Sequence, residues 1–354
     1  MWSRSRLAAA WCALATGCGG GHPVETTAPN ATTPAAALAL LSALADDSLE
    51  GRLTGTPGIA KAAGIIAREM ARIGLTPVGD SGFFQRIPLV AAIRIVNQRE
   101  VAAVTLAASF AARDSFPLSK RVPGFNVLGK LDGGDPSLAG EHIVVGAHYD
   151  HIGVRAHPSG DSIFNGADDD ASGVVAVLKI AEQLRAGPTP RRTIIFAAWT
   201  GEERGLLGAR WYSDHPVLPL DQMALNLEIE MIGRPDTLAG GPGRAWLTGY
   251  ERSSMGKALA EAGIPIVPDK RPAQNFFRRS DNYQFALKGI VAHTLSSYNM
   301  HTDYHQPSDQ TDQVDARHMA SVINAAATAV RLLADGPKPE WNPGGRPTPT
   351  PRQD

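Results

Sequence analysis

The chain has 354 residues, 43% of them hydrophobic and 19% charged, which is enough apolar material for a sizeable core and excludes a disordered or fibrous chain. Lys and Arg total 34 against 35 Asp and Glu, a formal net charge of -1, so no whole-chain basic field exists to hold nucleic acid or an acidic bilayer. The two cysteines, Cys12 and Cys18, lie close together near the start, which excludes a disulfide framework beyond them.

Residues 1–18 carry Arg4 and Arg6, an apolar stretch from Leu7 to Leu14, and small residues ending Ala15-Thr16-Gly17-Cys18. That is the layout of an export signal, too short to span a bilayer. Its end resembles a bacterial lipoprotein cleavage box, with Ala15 standing where such boxes more often have Leu. The expectation is an exported chain, lipidated at Cys18 and facing the periplasm or the cell exterior, with that anchor as its membrane contact. Residues 19–36, rich in Gly, Thr, Pro and Ala, read as a flexible tether. Residues 37–335 read as one folded body without internal repeats. Residues 336–354 hold six prolines from Pro337 to Pro351 and read as an unpacked, disordered tail.

Within the body, the periodicity predicts helices over 37–44 and 59–73, then strands over 83–90, 101–106 and 126–131. A buried strand follows at 143–147, a helix at 173–184, a strand at 193–199 and a helix over 206–212. Strands at 223–229 and 290–295 and an amphipathic helix at 315–333 complete the body. Short apolar runs alternating with helices predict an α/β fold whose mixed, mostly parallel sheet is sandwiched by helices.

Acidic residues and histidines cluster directly after the predicted strands, where open α/β sheets place their sites. Gly146-Ala147-His148-Tyr149-Asp150-His151 comes at the end of the strand at 143–147, and Asn165 to Gly173, with Asp168-Asp169-Asp170 inside, leads into a helix. Gly201-Glu202-Glu203, Glu228-Ile229-Glu230 and Tyr304-His305 follow in turn. Imidazole and carboxylate suit zinc and similar divalent ions. His148 is a candidate ligand, and Asp150, two residues on along an extended segment, points to the same side and can orient its imidazole. One member of the triple Asp168 to Asp170 can bridge two ions. Of the pair Glu202-Glu203, one carboxylate can bind metal while the other takes a proton from water.

Taken together these clusters resemble those of the two-zinc exopeptidases, the family that includes bacterial leucyl aminopeptidases, glutamate carboxypeptidase II and the animal glutaminyl cyclases. The likeness runs from about Leu49 to Leu333 and begins with Glu50-Gly51-Arg52-Leu53-Thr54-Gly55 and Phe125-Asn126-Val127-Leu128-Gly129. It implies the zinc-exopeptidase, phosphorylase/hydrolase-like fold. It implies two Zn2+, or Co2+ or Mn2+ in their place, with His148 and Glu230 on one ion, Glu203 and His305 on the other, and Asp169 bridging both. Three carboxylates against the +4 of two zinc ions leave one charge, which a zinc-bridging hydroxide would balance. Glu202 is then the general base, Asp150 supports His148, and Tyr304 stabilises the developing oxyanion. The bond between Asp169 and Asp170 is implied to be cis.

The implied activity is that of an aminopeptidase acting on peptide substrates with apolar amino-terminal residues. The alternatives are a glutaminyl-peptide cyclase, a carboxypeptidase, for which no cluster of basic residues is visible, and a non-catalytic binding module on the same fold. Two departures from the family pattern stand out. Glu230 is Asp in most of the aminopeptidases, which leaves Glu228 as a competitor for the metal, and Asn282 after Asp281 replaces a frequent His. His151 and His301 sit beside the chosen histidines and are alternatives to them as ligands, but read preferentially as solvated or hydrogen-bonded loop residues. Phe276, Phe277, Tyr283 and Phe285 read equally well as core or, with Met231, as pocket lining.

Overall fold

A computed structural model describes residues 30–96 and 99–348 of the chain. The expected export signal with Cys18, most of the expected tether and residues 349–354 of the expected tail lie outside the described residues.

In chain order, the main strands are β1 Phe125–Leu131, β2 His142–His148, β3 Thr193–Trp199, β4 Met223–Ile229, β5 Ala245–Leu247, β6 Ile266–Pro268 and β7 Ala292–Ser296. Their spatial order is β1-β3-β2-β4-β7-β5-β6, and Thr76–Pro77 and Phe84–Arg86 pair with β1 to complete a nine-stranded sheet. The four central strands β3, β2, β4 and β7 are mutually parallel, whereas β1 runs antiparallel to β3 and β5 antiparallel to β7, with β6 parallel to β5. This is the mixed, mostly parallel sheet that the alternation of elements predicts.

Central parallel strands are covered on both faces, which is why Ile143-Val144-Val145 reads as an unbroken apolar run and not as an alternation. Ile143, Val145 and Ala147 face a core shared with α1 Pro34–Leu44, α2 Pro57–Ile73, α3 Gly173–Ala186 and, at the end of the body, a long helix over Ala316–Asp335. Val144 faces the other way, with Ile195 and Trp199, against α4 Leu207–Asp214 and the helix Asn282–Leu287. Local signals set the helix ends: Pro57 opens α2, Gly74 closes it at φ 84°, and the Asp315 carboxylate accepts the first free N–H groups of the last helix.

Three expectations change. The predicted strand 83–90 divides at Pro88, which cannot donate to a ladder: Phe84–Arg86 joins the main sheet, and Leu89–Val96 pairs with Arg99–Leu106 in a separate hairpin. β5 and β6 and the helices Ser254–Glu261 and Asn282–Leu287 escape prediction because each is too short to establish a period. The unpacked tail is corrected as far as Thr348: Trp341 donates its indole N–H to the Gly289 carbonyl at 2.9 Å, and Arg252 donates to the Gly345 carbonyl at 3.0 Å. A half-buried indole and main-chain partners hold this segment to the body despite its prolines. Among the described residues no helix is long and apolar enough to cross a membrane.

Candidate metal centre

The parallel register aligns the C-terminal ends of the central strands, setting Trp199 beside His148 and Gly146 beside Glu228. The predicted clusters therefore meet at one edge. His148 ends β2, Glu202 and Glu203 form the turn after β3, Glu230 follows β4, and His305 comes after β7.

Side-chain donors converge there in two groups that share Asp169. His148, Asp169 and Glu230 form one, and His151, Asp169, Glu203 and His305 the other, with the donor atoms of each group within 4.8 Å of one another. The Asp169 carboxylate lies between two histidines, with Oδ1 3.2 Å from His148 Nε2 and Oδ2 3.1 Å from His305 Nε2. Glu203 Oε1 stands 2.9 Å from His305 Nε2 and 3.0 Å from His151 Nδ1. Despite these short distances, His148 Nε2, His151 Nδ1, Asp169 Oδ2 and Glu203 Oε1 are buried without an aligned hydrogen-bond partner. Buried polar atoms are normally paired. Nitrogen and oxygen atoms that crowd together without an aligned hydrogen bond suit a cation held between them, and these residue types fit zinc. The electrostatics agree: burial lowers the His305 imidazole, but Asp169 and Glu203 outweigh it and push His305 up to about 10.

The acidic triple divides by hydrogen bonding. Asp168 Oδ1 accepts from the Gly233 N–H at 2.6 Å, and its Oδ2 lies 3.0 Å from His301 Nε2. Asp170 Oδ1 accepts from the N–H groups of Met231 and Gly173. Both carboxylates thereby tie the start of α3 to the segment after β4, and Asp169 alone of the three approaches His148, His151 and His305. The backbone N–H groups of Asp168 and Asp169 donate to Asp309, and the Asp169–Asp170 peptide is cis.

Glu228, the competitor for Glu230, is already occupied. Its Oε2 accepts from the Trp199 indole at 2.9 Å and its Oε1 from the Asn226 amide at 2.6 Å, while burial pushes its carboxyl up to about 7. This arrangement requires Gly146, since a Cβ there would come within 2.4 Å of both Glu228 Oε2 and Trp199 Nε1. Asp150 departs from the simple picture of a carboxylate on an imidazole. His148 Nδ1 is 3.1 Å from the Asp150 backbone carbonyl and 3.8 Å from its carboxylate, which accepts instead from Thr54 and from the Glu202 N–H. Burial, followed by Glu230 and Asp281, pushes the Glu202 carboxyl well above the usual carboxylate range.

The donors floor a cleft lined by Glu202, Tyr304 and His305 together with Met231, Trp246, Phe276 and Tyr298. Trp246 stacks on Phe276 at 5.2 Å between centroids, Tyr304 stacks on His305 at 3.9 Å, and Arg279 lies 5.0 Å above the Phe276 ring. Of the aromatic residues that read equally as core or lining, Phe276 lines the cleft, while Phe277 and Phe285 are buried in the second core with Tyr283 against them. Sequence reasoning assigned neither Arg279 nor His151 to the centre. His142, His293 and His318 are buried away from it, and His22 lies outside the described residues.

This fold, with its donors at the C-terminal strand ends, is that of the zinc exopeptidases. Residues 126–330 match the family model for Peptidase family M28, more than half of the chain, and the chain belongs to that family. It is 28% identical over 229 residues to a probable leucine aminopeptidase from Aspergillus oryzae, covering 58% of this chain and 43% of that one. It is also 28% identical over 230 residues to a probable lipoprotein aminopeptidase from Mycobacterium tuberculosis, covering 54% and 42% respectively. The chain thus spans less than half the length of these curated relatives. A zinc aminopeptidase from Bacillus subtilis shares the fold at a TM-score of 0.60 and 16% identity, covering 86% of this chain and 96% of that one. So does a glutaminyl cyclase from Porphyromonas gingivalis, at a TM-score of 0.59 and 14% identity, covering 85% and 98%.

Proposed function

We propose that the chain is a metal-dependent aminopeptidase that removes apolar amino-terminal residues from peptides, with His148, Asp169, Glu203, Glu230 and His305 holding two zinc ions. The same donors accept cobalt or manganese. The observation that carries this reading is the pair of donor groups sharing Asp169 at the floor of an aromatic-walled cleft. Membership of Peptidase family M28 and the aminopeptidase names among its relatives support it.

Divalent ions bound there supply the Lewis acidity that makes water a nucleophile near neutral pH and polarises the scissile carbonyl. The protein supplies the rest. Glu202, on the cleft side of the turn, takes the proton of the attacking water and returns it to the departing amine. Tyr304, fixed by stacking on His305, is positioned to donate its hydroxyl to the oxygen that gains charge. Asp150 acts through other residues, holding the Glu202 turn through its carboxylate and the His148 ring through its carbonyl. Met231, Trp246, Phe276 and Tyr298 offer an apolar wall to the substrate's first side chain.

Replacing Glu202 by Gln tests the assignment: metal content stays at the wild-type level while turnover falls by about two to four orders of magnitude. Near-normal turnover in that variant removes Glu202 from the role of base. We extend the proposal to export and lipidation at Cys18, supported by the layout of residues 1–18 and by the lipoprotein relative. Expression of Cys18→Ala beside the wild type checks it, the variant leaving the membrane fraction and the wild type remaining in it. Equal partition of the two rules the anchor out.

A further inference from the structure

We propose that His151 is a metal ligand, so that the two positions sharing Asp169 are unequal: one has four protein donors and fills first, the other has three and fills second. The proposal rests on the two-metal reading above and goes beyond it in the identity of one ligand and the order of loading.

The His151 ring is fully buried. Its Nδ1 lies 3.0 Å from Glu203 Oε1 and 3.7 Å from Asp169 Oδ2, yet neither ring nitrogen has a hydrogen-bond partner. The oxygens that face it, Glu203 Oε1 and Asp169 Oδ2, are also without one. Two other buried histidines of this chain, His293 and His318, are different. His293 reaches Ser253 Oγ and the Thr248 carbonyl, both at 2.7 Å, and His318 reaches Ser297 Oγ and the Gly243 N–H at 2.9 Å. A histidine that merely supported Glu203 would be expected to show such an aligned bond. His151 instead shares with His148 the short, unaligned approach to carboxylate oxygens that marks atoms turned toward a common point.

The surroundings fix the ring in that direction. The His151 N–H donates to the Arg52 carbonyl at 3.2 Å, and the ring meets His305 edge-on at 5.5 Å between centroids. On its other side it packs over Gly166, where a Cβ would come within 2.6 Å of the imidazole. The ring is thus bounded by His305 on one side and Gly166 on the other. Two imidazoles and two carboxylates complete the four-donor set that zinc favours in closed sites, whereas His148, Asp169 and Glu230 give the three-donor count typical of a site with an open position. The open position on that side is the one that solvent and substrate can use.

Zinc titration of the metal-free full chain against a competing chromophoric chelator, together with X-ray absorption of the protein holding one equivalent of zinc, tests this. For the wild type we expect two resolved binding steps and two imidazoles on the first equivalent. In His151→Ala the first step weakens at least a hundredfold and the imidazole count falls to one, while in His148→Ala the first step persists and the second is lost. One imidazole on the first equivalent of the wild-type protein overturns the proposal without recourse to any variant. So does His151→Ala with unchanged binding, or with a modest loss of affinity and an unchanged imidazole count, the mark of a supporting residue. Wild-type protein that binds no zinc overturns the two-metal reading itself, a result distinct from any of these. Apo-protein circular dichroism and melting confirm that each variant is folded.

Discussion

The backbone N–H of Glu202 donates to Oδ1 of Asp150 at 3.0 Å, so a carboxylate just beyond β2 fixes the turn after β3 that carries both Glu202 and Glu203. Oδ2 of the same carboxylate accepts from the Thr54 hydroxyl at 3.0 Å, which brings the segment before α2 into the same support. Burial raises the Asp150 carboxyl above its ordinary range, and these donors oppose the shift.

Removing the Thr54 hydroxyl while keeping its shape isolates one of these donors. We expect Thr54→Val to lose about 1–3 kcal/mol of unfolding free energy, the cost of leaving a buried acceptor short of a partner. The denaturation midpoint measures it directly. A midpoint equal to that of the wild type would show that Asp150 does not need this hydroxyl.

On mild acidification His293 contributes a loss of stability. Burial pushes its imidazole down to about 4, and its neutral form is held by Ser253 and the Thr248 carbonyl. Between about pH 6.5 and 4 the unfolded chain binds a proton at this position that the folded chain refuses, so stability rises with pH through that window and is lost as pH falls. From pH 7 to pH 5 His293 alone should cost about 1–2 kcal/mol. Melting curves of the wild type and His293→Gln at both pH values check it, the variant being the less sensitive to acid. Parallel pH dependence in the two proteins would remove His293 as the cause.

Much of the centre is legible in the sequence because parallel strands end together. His148, Glu203, Glu230 and His305 each lie beyond or at the end of an apolar run, Asp169 lies just before α3, and the register of β3, β2, β4 and β7 converts the spacing of the first four into proximity. His151 was legible only as an alternative to a chosen histidine, not as an additional donor. The direction of its ring is set by Arg52 and Gly166, distant in sequence, and not by the period of β2. The same limit applies to Phe276 and Phe277: neighbours in one tight turn, they fall into different apolar clusters, one with Trp246 and Tyr298 at the cleft and one with Phe285 in the core. Glu228 and Glu230 share a strand face by parity, and only the Trp199 indole and the Asn226 amide, both requiring the folded sheet, show that Glu228 is occupied.

The tail illustrates a compositional failure. Prolines between Pro337 and Pro351 argue for an unpacked end, yet one residue, Trp341, provides enough buried ring and a hydrogen bond to Gly289 to hold the chain down as far as the structure describes it. Composition averages over such single anchors.

The central claim is that the donors sharing Asp169 hold metal that catalyses removal of an amino-terminal residue. The rate of leucyl-nitroanilide hydrolysis by the full chain, measured before chelation, after chelation and after zinc is returned, tests it most directly. Activity that vanishes on chelation and returns with zinc is the predicted result. Folded protein that is inactive in all three states, or that cyclises an amino-terminal glutamine peptide without hydrolysing the leucyl substrate, would contradict the claim.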